Sequence, residues 1–409
     1  MYNIVESDKT KEIYLDYAAL APIDKGVLRK MLPYFDSKYG NPSSLHKNGR
    51  RARQALEKAR GKIAQMINAL PEEIIFTSSG TEADNLALIG VARANRGRGN
   101  HILISAIEHK AVLEAAKFLE KEGFEIGIIP VDQYGMIDVK KFLTLVKKET
   151  ILISVMYVNN EIGTIEPVQI LASILKKINP NHRPLFHVDA CQATNLMPLD
   201  VNELGVDLMT INSSKIYGPI GVAVLYKKIG ILLEPLMVGG EQEKNVRAGT
   251  ENLPLVIGFA EALKKTVKIR KIEYQRFKKL ETYFTKKLKE KIPNVLFNGH
   301  PQNKIPSTVH VSISSIEGES AILMLDNYGI RASTGSACST FDLRPSHVLL
   351  AIGQDPDLVH GSIRFSMGRS TTKKDLNIVL RVLPKIVDKL RGISALTIKK
   401  DENQKNKKE

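Results

Sequence analysis

Short apolar segments alternate with longer amphipathic ones along most of this chain of 409 residues. Strands are predicted for EIIFTS, HILIS, EIGIIPV, TILISVMYVNN, LFHVDAC, VDLMTIN and GVAVLYK, because apolar runs without alternation are typical of strands buried on both faces. Helices are predicted for the intervening TEADNLALIGVARAN, EHKAVLEAAKFLEKEG and EPVQILASILKKI. This alternation predicts an α/β fold with a largely parallel sheet, in a large domain spanning residues 16–257.

A second, smaller domain is predicted after the sheet. A long amphipathic helix is expected from Gly258 to Lys291, with apolar residues near helical spacing at Leu263, Val267, Phe277, Leu280, Phe284 and Leu288. It leads to STVHVSIS, EGESAILMLDNYG, GSIRFSMG and a last helix in TKKDLNIVLRVLPKIVDKLRGI. We expect an α+β domain formed by residues 1–15 and 258–395, followed by a mixed-charge tail, residues 396–409, that is disordered.

Composition excludes several classes of protein. Hydrophobic content of 43% and charged content of 25% are ordinary for a soluble domain, and two cysteines form no disulfide framework. The first residues lack a signal-peptide pattern and no apolar run reaches about 20 residues, so a cytoplasmic location is expected. The net charge of +15 is spread along helices, which favours a solvated basic surface over a nucleic-acid site. No zinc-finger spacing occurs, and no metal site is predicted.

The segment IIFTSSGTEADN has the pattern of a strand, a turn of small residues and the start of a helix. Backbone N–H groups at a helix N-terminus bind anions, and Gly80 allows a ligand to approach closely. Thr81 adds a hydroxyl group, and Glu82 and Asp84 suit the first helical turn. A phosphate site and an ordinary capped helix both remain open on this segment alone.

Two further residues suggest what such a phosphate would belong to. Asp189 follows an apolar strand, at the edge where open α/β sheets bind ligands, and could hold a protonated ring nitrogen or form a structural ion pair. Lys215 follows another strand, among small polar residues, and a buried lysine can form a Schiff base. A phosphate turn, a ring-nitrogen carboxylate and a Schiff-base lysine are together what pyridoxal phosphate requires.

Three side chains outside this set are candidates for chemistry. Cys338 lies among small polar residues, which suits a thiolate nucleophile or sulfur carrier, whereas Cys191 is more typical of packing. Arg364, in a strand-like run, can grip a carboxylate with two hydrogen bonds. His109, at a strand-to-helix junction, can stack on a ring and move protons near neutral pH.

These motifs occur together in a known family. The chain resembles the cysteine desulfurases, fold-type I pyridoxal-phosphate enzymes of the class V aminotransferase group. The resemblance runs from IYLDYAA to about Arg391 and includes GNPSSLH, IIFTSSGTEADN, EHKAV, VNNEIGT, HVDACQ, KIYGPIG, RAGTEN, GSAC and SIRFSMGR. It implies a mostly parallel seven-stranded sheet flanked by helices. The segment after Cys338 is similar to the long, mobile cysteine loop of the iron–sulfur and nitrogenase-type branch, placed here at residues 333–345.

The resemblance implies a role for each matching residue. Lys215 would hold the cofactor aldehyde and move the Cα proton, Asp189 would keep the ring nitrogen protonated, and His109 would stack on the ring as acid or base. Cys338 would attack the substrate sulfur and carry a persulfide. Further cofactor contacts would come from Gly80, Thr81, Asn160, Gln192, Asn212, Ser214 and from Thr250 of the partner subunit, and Asn160 and Arg364 would bind the substrate carboxylate.

Several positions depart from the family pattern, among them Ala19, Leu20 and Ala21 in DYAALAP. Ser214 stands where a histidine usually precedes the Schiff-base lysine, Asn212 replaces a serine, and Lys244 replaces an arginine in EKNVRAGT. The first two residues still offer hydrogen-bond donors, although a cationic contact is absent at residue 214.

The function implied is conversion of L-cysteine to L-alanine by a homodimer, with sulfur supplied to iron–sulfur cluster assembly or to tRNA thiolation. The expected partner is a sulfur-acceptor protein, such as an iron–sulfur scaffold. Two alternatives remain open here: a related enzyme, such as selenocysteine lyase or a desulfurase dedicated to one pathway, and a diverged paralogue that binds partners as a scaffold.

Overall fold

Twelve strands form within the part of the chain that the computed structural model describes, residues 12–178, 183–334 and 345–393. They are β1 (Ile13–Tyr14), β2 (Ile74–Thr77), β3 (His101–Ser105), β4 (Glu125–Ile129), β5 (Thr150–Ser154), β6 (Leu185–Asp189), β7 (Leu208–Asn212), β8 (Ala223–Lys227), β9 (Val295–Asn298), β10 (Thr308–Ile313), β11 (Ile330–Arg331) and β12 (Ser362–Ser366).

Seven of these strands form one sheet, in the order β2-β8-β7-β6-β5-β3-β4. Strands β4, β3, β5, β6 and β7 pair in parallel, whereas β8 is antiparallel to both of its neighbours. Every residue of β3 and β5 is buried, which explains their uninterrupted apolar sequences. The predicted α/β class with a mostly parallel seven-stranded sheet is confirmed.

Thirteen α-helices connect and cover the strands within the described residues. They are α1 (Lys25–Met31), α2 (Lys47–Met66), α3 (Gly80–Asn85), α4 (Val91–Ala94), α5 (Lys110–Lys121), α6 (Val139–Leu145), α7 (Val168–Leu175), α8 (Val201–Leu204), α9 (Leu253–Lys291), α10 (Gly318–Asp326), α11 (His347–Ala351), α12 (Pro356–His360) and α13 (Lys373–Ile393). A π-helical segment, Leu86–Gly90, joins α3 to α4.

The long helix α9 begins earlier than predicted, at Leu253 instead of Gly258. The side chain of Asn252 caps it by accepting the Leu255 N–H group at 3.4 Å, and a proline in the first turn suits this start. Phe277 and Leu288 are fully buried as expected, but Val267 is 38% exposed and does not belong to the packed face. The helix packs against α1 and α2 and, farther along, against α13.

A separate antiparallel sheet, in the order β12-β10-β9, forms from residues beyond α9. The N-terminal strand β1 pairs with β11 in parallel, so the start of the chain joins its C-terminal part. The predicted boundary between the two domains, at residues 257 and 258, falls inside α9, which is unbroken there. The division into two domains therefore stays a prediction. No helix among the described residues has both the length and the apolar character needed to cross a membrane.

Candidate active site

Five strands end at the same edge of the large sheet, where they surround a cavity of about 400 Å³. These strands are β2, β3, β5, β6 and β7, and the turns after them carry polar side chains into the cavity, as is usual for open α/β sheets. The cavity wall includes nine of the predicted site residues: Gly80, Thr81, His109, Asn160, Asp189, Gln192, Asn212, Lys215 and Arg364.

The start of α3 forms one end of this cavity. Ser79 caps the helix by accepting the Glu82 N–H group at 3.1 Å, which leaves the first turn open toward the cavity. A β-carbon on Gly80 would lie 3.0 Å from the Cys191 Sγ atom and 3.3 Å from the Asn212 Nδ2 atom. Glycine at this position therefore keeps a small space beside backbone N–H groups that suit an anion.

Asp189 ends β6 and is buried at the cavity floor. Its Oδ1 atom accepts the Cys191 N–H group at 2.9 Å. The Cys191 thiol is buried as well, and burial together with Asp189 raises the pKa of this thiol well above its usual range. Cys191 is thus an uncharged packing side chain at neutral pH. Gln192, the next residue, donates from Nε2 to the carbonyl oxygen of Ala18 at 2.8 Å.

Two buried carboxyl groups beside Asp189 were not identified as site residues from the sequence. Asp84, which was expected in a favourable first turn, is only 1% exposed and lines the cavity. Burial, Asp189 and Glu108 raise its pKa well above the usual range. Burial raises the pKa of Glu108 in the same direction, so burial favours the protonated form of both groups.

A buried histidine lies beside Asp84. His187 is fully buried and its Nε2 atom lies 3.7 Å from Asp84 Oδ1, but burial lowers the pKa of His187 to about 4. It bonds to Ser154 Oγ at 2.8 Å and to Thr210 Oγ1 at 3.1 Å. The helical period could have revealed the burial of Asp84, because it lies four residues after the buried Gly80 on the same face of the helix.

Lys215 closes a single 3₁₀ turn, Ser213–Lys215, directly after β7. Its Nζ atom donates to the carbonyl oxygens of Ala18 at 2.9 Å and Ala19 at 2.6 Å, which fixes the ammonium group in the cavity. Asn212 caps the turn, accepting both the N–H group and the hydroxyl group of Ser214 at 3.1 Å. Ser214 is thus bonded within its own turn and lies outside the cavity wall, so its contact with a cofactor stays a prediction.

His109 and Arg364 face the same space from other elements. His109 caps α5 by accepting the Ala111 N–H group on Nδ1 at 3.1 Å, so the neutral ring carries its hydrogen on Nε2. Arg364 donates to Asp16 Oδ1 at 2.8 Å and to the backbone oxygen of Asn160 at 2.9 Å. Its buried Nε atom has no hydrogen-bond partner among the described residues.

The remaining predicted residues are placed differently. Thr250 is exposed and does not line the cavity of its own chain, and Cys338 lies outside the described residues. Lys244 donates from Nζ to the carbonyl oxygen of Glu72 at 3.0 Å and also lies outside the cavity wall. Sequence reasoning also missed Glu161, Ser346 and His347, which line the cavity.

Comparison with known proteins agrees with this arrangement. Residues 13–379 match the profile of the aminotransferase class-V family. The chain is 48% identical over 384 residues to a protein named Cysteine desulfurase IscS from Dictyoglomus turgidum, covering 94% of this chain and 96% of the relative. It is 44% identical over 383 residues to Cysteine desulfurase IscS 1 from Archaeoglobus fulgidus, covering 94% and 99%.

Solved structures give the same result. A NifS-like protein superposes with a TM-score of 0.87 at 35% identity, covering 92% of this chain and 99% of the other. A structure described as SspA in complex with cysteine superposes with a TM-score of 0.76 at 30% identity, covering 87% and 98%. This chain therefore belongs to the aminotransferase class-V family and, within it, to the cysteine desulfurases.

Proposed function

We propose that this protein is a pyridoxal-phosphate-dependent cysteine desulfurase that converts L-cysteine to L-alanine and leaves a persulfide on Cys338. The observation that carries the proposal is the meeting of Lys215, Asp189, His109 and Arg364 around one cavity. Each contributes a different function that the reaction needs, and they come from separate strands and turns. The selenocysteine lyase and scaffold alternatives are not favoured, because the relatives described above are named cysteine desulfurases.

The cavity suits pyridoxal phosphate on two observations. The space that a Gly80 β-carbon would fill adjoins the N-terminus of α3, which suits the phosphate group. Asp189, flanked by Asp84, whose pKa burial raises, would offer a carboxylate oxygen for a protonated ring nitrogen. Further contacts would come from Thr81, Asn160, Gln192, Asn212, Ser214 and Thr250 of the partner subunit. When bound, the cofactor supplies an aldehyde that condenses with amines and a ring that accepts electrons.

The protein's own groups would bind the substrate and move its protons. Arg364 lines the cavity, and its Nη atoms are held by Asp16 and Asn160, so a substrate carboxylate would meet an already oriented guanidinium. Lys215 is the amine that can take and return the Cα proton. His109 presents Nε2 as the second group able to exchange a proton.

Sulfur transfer would use Cys338 as a thiolate. Its attack on the substrate sulfur forms an S–S bond as the C–S bond breaks, and the electron pair of that bond stays with the carbon skeleton, which leaves as alanine after protonation. One cysteine and the Cys338 thiol thus give alanine and a persulfide, without any added oxidant or reductant. The persulfide would then pass to a sulfur-acceptor protein for iron–sulfur cluster assembly or tRNA thiolation.

We propose a homodimer in the cytoplasm as the working form. A group of large apolar side chains is well exposed near the segment that carries Thr250: Ile229, Leu232, Met237 and Val238. Exposed apolar surface of this kind is typical of a protein interface. A second copy that covers it would support the expected approach of Thr250 to the neighbouring cavity.

The test is an alanine-release assay with L-cysteine, with and without reductant. Cys338→Ala should retain the absorbance of the bound cofactor and lose persulfide and sulfide formation. Because Cys191 is the other cysteine, mass spectrometry of a Cys191→Ala variant should place the persulfide on Cys338. Absence of alanine from a protein that has bound the cofactor would refute the proposed function. A borohydride-stable adduct in Lys215→Ala would refute the lysine assignment.

A further inference from the structure

One buried carboxyl group of the cavity has no role in the function proposed above. Glu161 is 4% exposed and follows Asn160, whose backbone oxygen holds Arg364. Its backbone is fixed, because Asn159 Oδ1 accepts the N–H groups of both Glu161 and Ile162 at 2.9 Å. Glu161 thus occupies a rigid turn beside the group that would bind the substrate carboxylate.

The partner of this carboxyl group is Ser346, which is buried and precedes α11. Ser346 donates its hydroxyl group to Glu161 Oε2 at 2.5 Å and accepts the Leu349 N–H group at 3.2 Å. His347 adds a second attachment, donating from Nε2 to the carbonyl oxygen of Glu108 at 2.9 Å. Residues 345–347, which line the cavity, are therefore held to it by two side-chain hydrogen bonds.

The hydrogen bond between Ser346 and Glu161 joins two segments of the chain for which different functions are proposed. On one side is the turn that positions Arg364. On the other is the segment that connects α11 to residues 335–344, which include Cys338. An ionised carboxylate accepts a hydroxyl hydrogen more strongly than a neutral acid does, because charge-assisted hydrogen bonds are about twice as strong.

We propose that Glu161 is a positioning residue whose carboxylate anchors Ser346 and the start of α11 to the substrate cavity. The anchor itself follows from the geometry, whereas its importance for sulfur transfer rests on the proposed function. Burial raises the pKa of Glu161 to about 7, and the Ser346 hydroxyl and Arg364 limit that rise. The anchor is therefore strongest above pH 7, where Glu161 is ionised, and weakens as the carboxyl group takes up a proton.

The charged and titratable groups that face Glu161 come from three elements. Arg364 lies on β12, His109 and Lys110 lie at the start of α5, and His347 begins α11. Arginine and lysine keep their charge between pH 6 and 8, and burial lowers the pKa of His347 below its usual value. Histidine is the other side-chain type that changes charge in this range, so His109 must be separated from Glu161 by experiment.

Hydrogen exchange of the cofactor-loaded protein tests the anchor without turnover. In the wild type, the amides of residues 347–351, corrected for intrinsic rates, should exchange about fivefold faster at pH 6 than at pH 8. Glu161→Gln retains a neutral acceptor and the Ser346 cap, so its exchange should be fast at both pH values. A purely structural role for Glu161 would give no such dependence on pH.

A matched pair elsewhere provides the control. Ser320 donates to Glu317 Oε2 at 2.5 Å at the start of α10, but this pair is exposed, so Glu317→Gln should not change how exchange of α10 depends on pH. A pH dependence that survives Glu161→Gln would come from another titratable group and would overturn the proposal. Equal exchange rates of the α11 amides at pH 6 and pH 8 in the wild type would also overturn the proposal.

A kinetic measurement tests the consequence separately. If the anchor serves sulfur transfer, single-turnover persulfide formation in Glu161→Gln should be slow at both pH values, with little change in KM for L-cysteine. Ser346→Thr keeps the hydroxyl group and should show the wild-type dependence of persulfide formation on pH, whereas Ser346→Ala should not. If hydrogen exchange shows the expected pH dependence but the protein forms no alanine, the desulfurase function would be refuted and the anchor would stand. Wild-type rates in Glu161→Gln would refute the role in transfer.

Discussion

The ion pair between Arg60 and Glu243 holds the segment that leads to Thr250 against the large sheet. Both side chains are buried, with 6% and 1% exposed, and two parallel bonds of 2.8 and 2.7 Å join them. Glu243 also accepts the Phe76 N–H group from β2 at 2.8 Å. The backbone of residues 243–245 has positive φ angles of 45°, 60° and 64°, a strained conformation that needs such an attachment.

Replacing Glu243 by glutamine should therefore cost far more than replacing an exposed glutamate. The Arg60 charge stays buried opposite a neutral amide, and breaking a buried pair from one side costs roughly 3 kcal/mol or more. With an unfolding entropy typical of about 400 residues, this corresponds to a melting temperature lower by about 3–4 °C. The exposed pair of Lys117 and Glu114 is the matched control, because Glu114→Gln should lower the melting temperature by less than about 1 °C.

Differential scanning calorimetry of the two variants measures both effects. A double variant, Arg60→Met with Glu243→Gln, should melt above Glu243→Gln alone, because no unpaired charge then remains buried. Equal melting temperatures for Glu243→Gln and Glu114→Gln would show that the buried charge is not what stabilises this segment, and the reasoning would fail.

Three other substitutions have defined outcomes. Gly80→Ala should weaken pyridoxal-phosphate binding at least about fivefold in absorbance titrations, because the methyl group meets Cys191 Sγ at 3.0 Å. Arg364→Lys should raise KM for L-cysteine roughly 10–100-fold in alanine-release assays, since one ammonium group cannot make the paired bonds of a guanidinium. Burial raises the pKa of Glu166 to about 8. Between about pH 4.5 and 8 the folded state therefore holds a proton that the unfolded state has lost. The free energy of unfolding of the wild type should fall as pH rises through that window. Glu166→Gln should remove this loss, so its urea midpoint should rise relative to that of the wild type between pH 5 and pH 8. A difference between the two midpoints that does not change with pH would contradict the burial argument.

The strands of the sheet were predictable because burial on both faces leaves a continuous apolar sequence. Each of the seven predicted segments contains an observed strand, although TILISVMYVNN ends its strand at Ser154. Val155 and Tyr157 still donate backbone N–H groups to β6, but the Met156 N–H group between them is taken by the Glu108 side chain at 2.7 Å. The reversed direction of β8 was not predicted, because an apolar run does not show which way a strand points.

The cavity residues on strand ends were predictable for a similar reason. Parallel strands end at one edge, so polar residues that follow them, such as Asp189 and Lys215, meet in space. Buried acids such as Glu161 were missed because a glutamate in a loop gives no sign of its burial in the sequence. Lys244 and Ser214 attracted attention as departures from the family pattern, yet neither lines the cavity.

The two unexpected acids bear on the proposed binding of a cationic ring at the cavity floor. Asp84 and Glu108 lie near Asp189, and burial raises the pKa of both well above the usual range. If they were ionised, three carboxylates would repel one another in a poorly solvated space, at a cost that one ring nitrogen could not offset. In their protonated form they would add no negative charge beside Asp189, and His187, whose pKa burial lowers to about 4, would add no competing cation. For the proposed cofactor, the charge that meets the ring would thus depend on Asp84 and Glu108 as well as on Asp189.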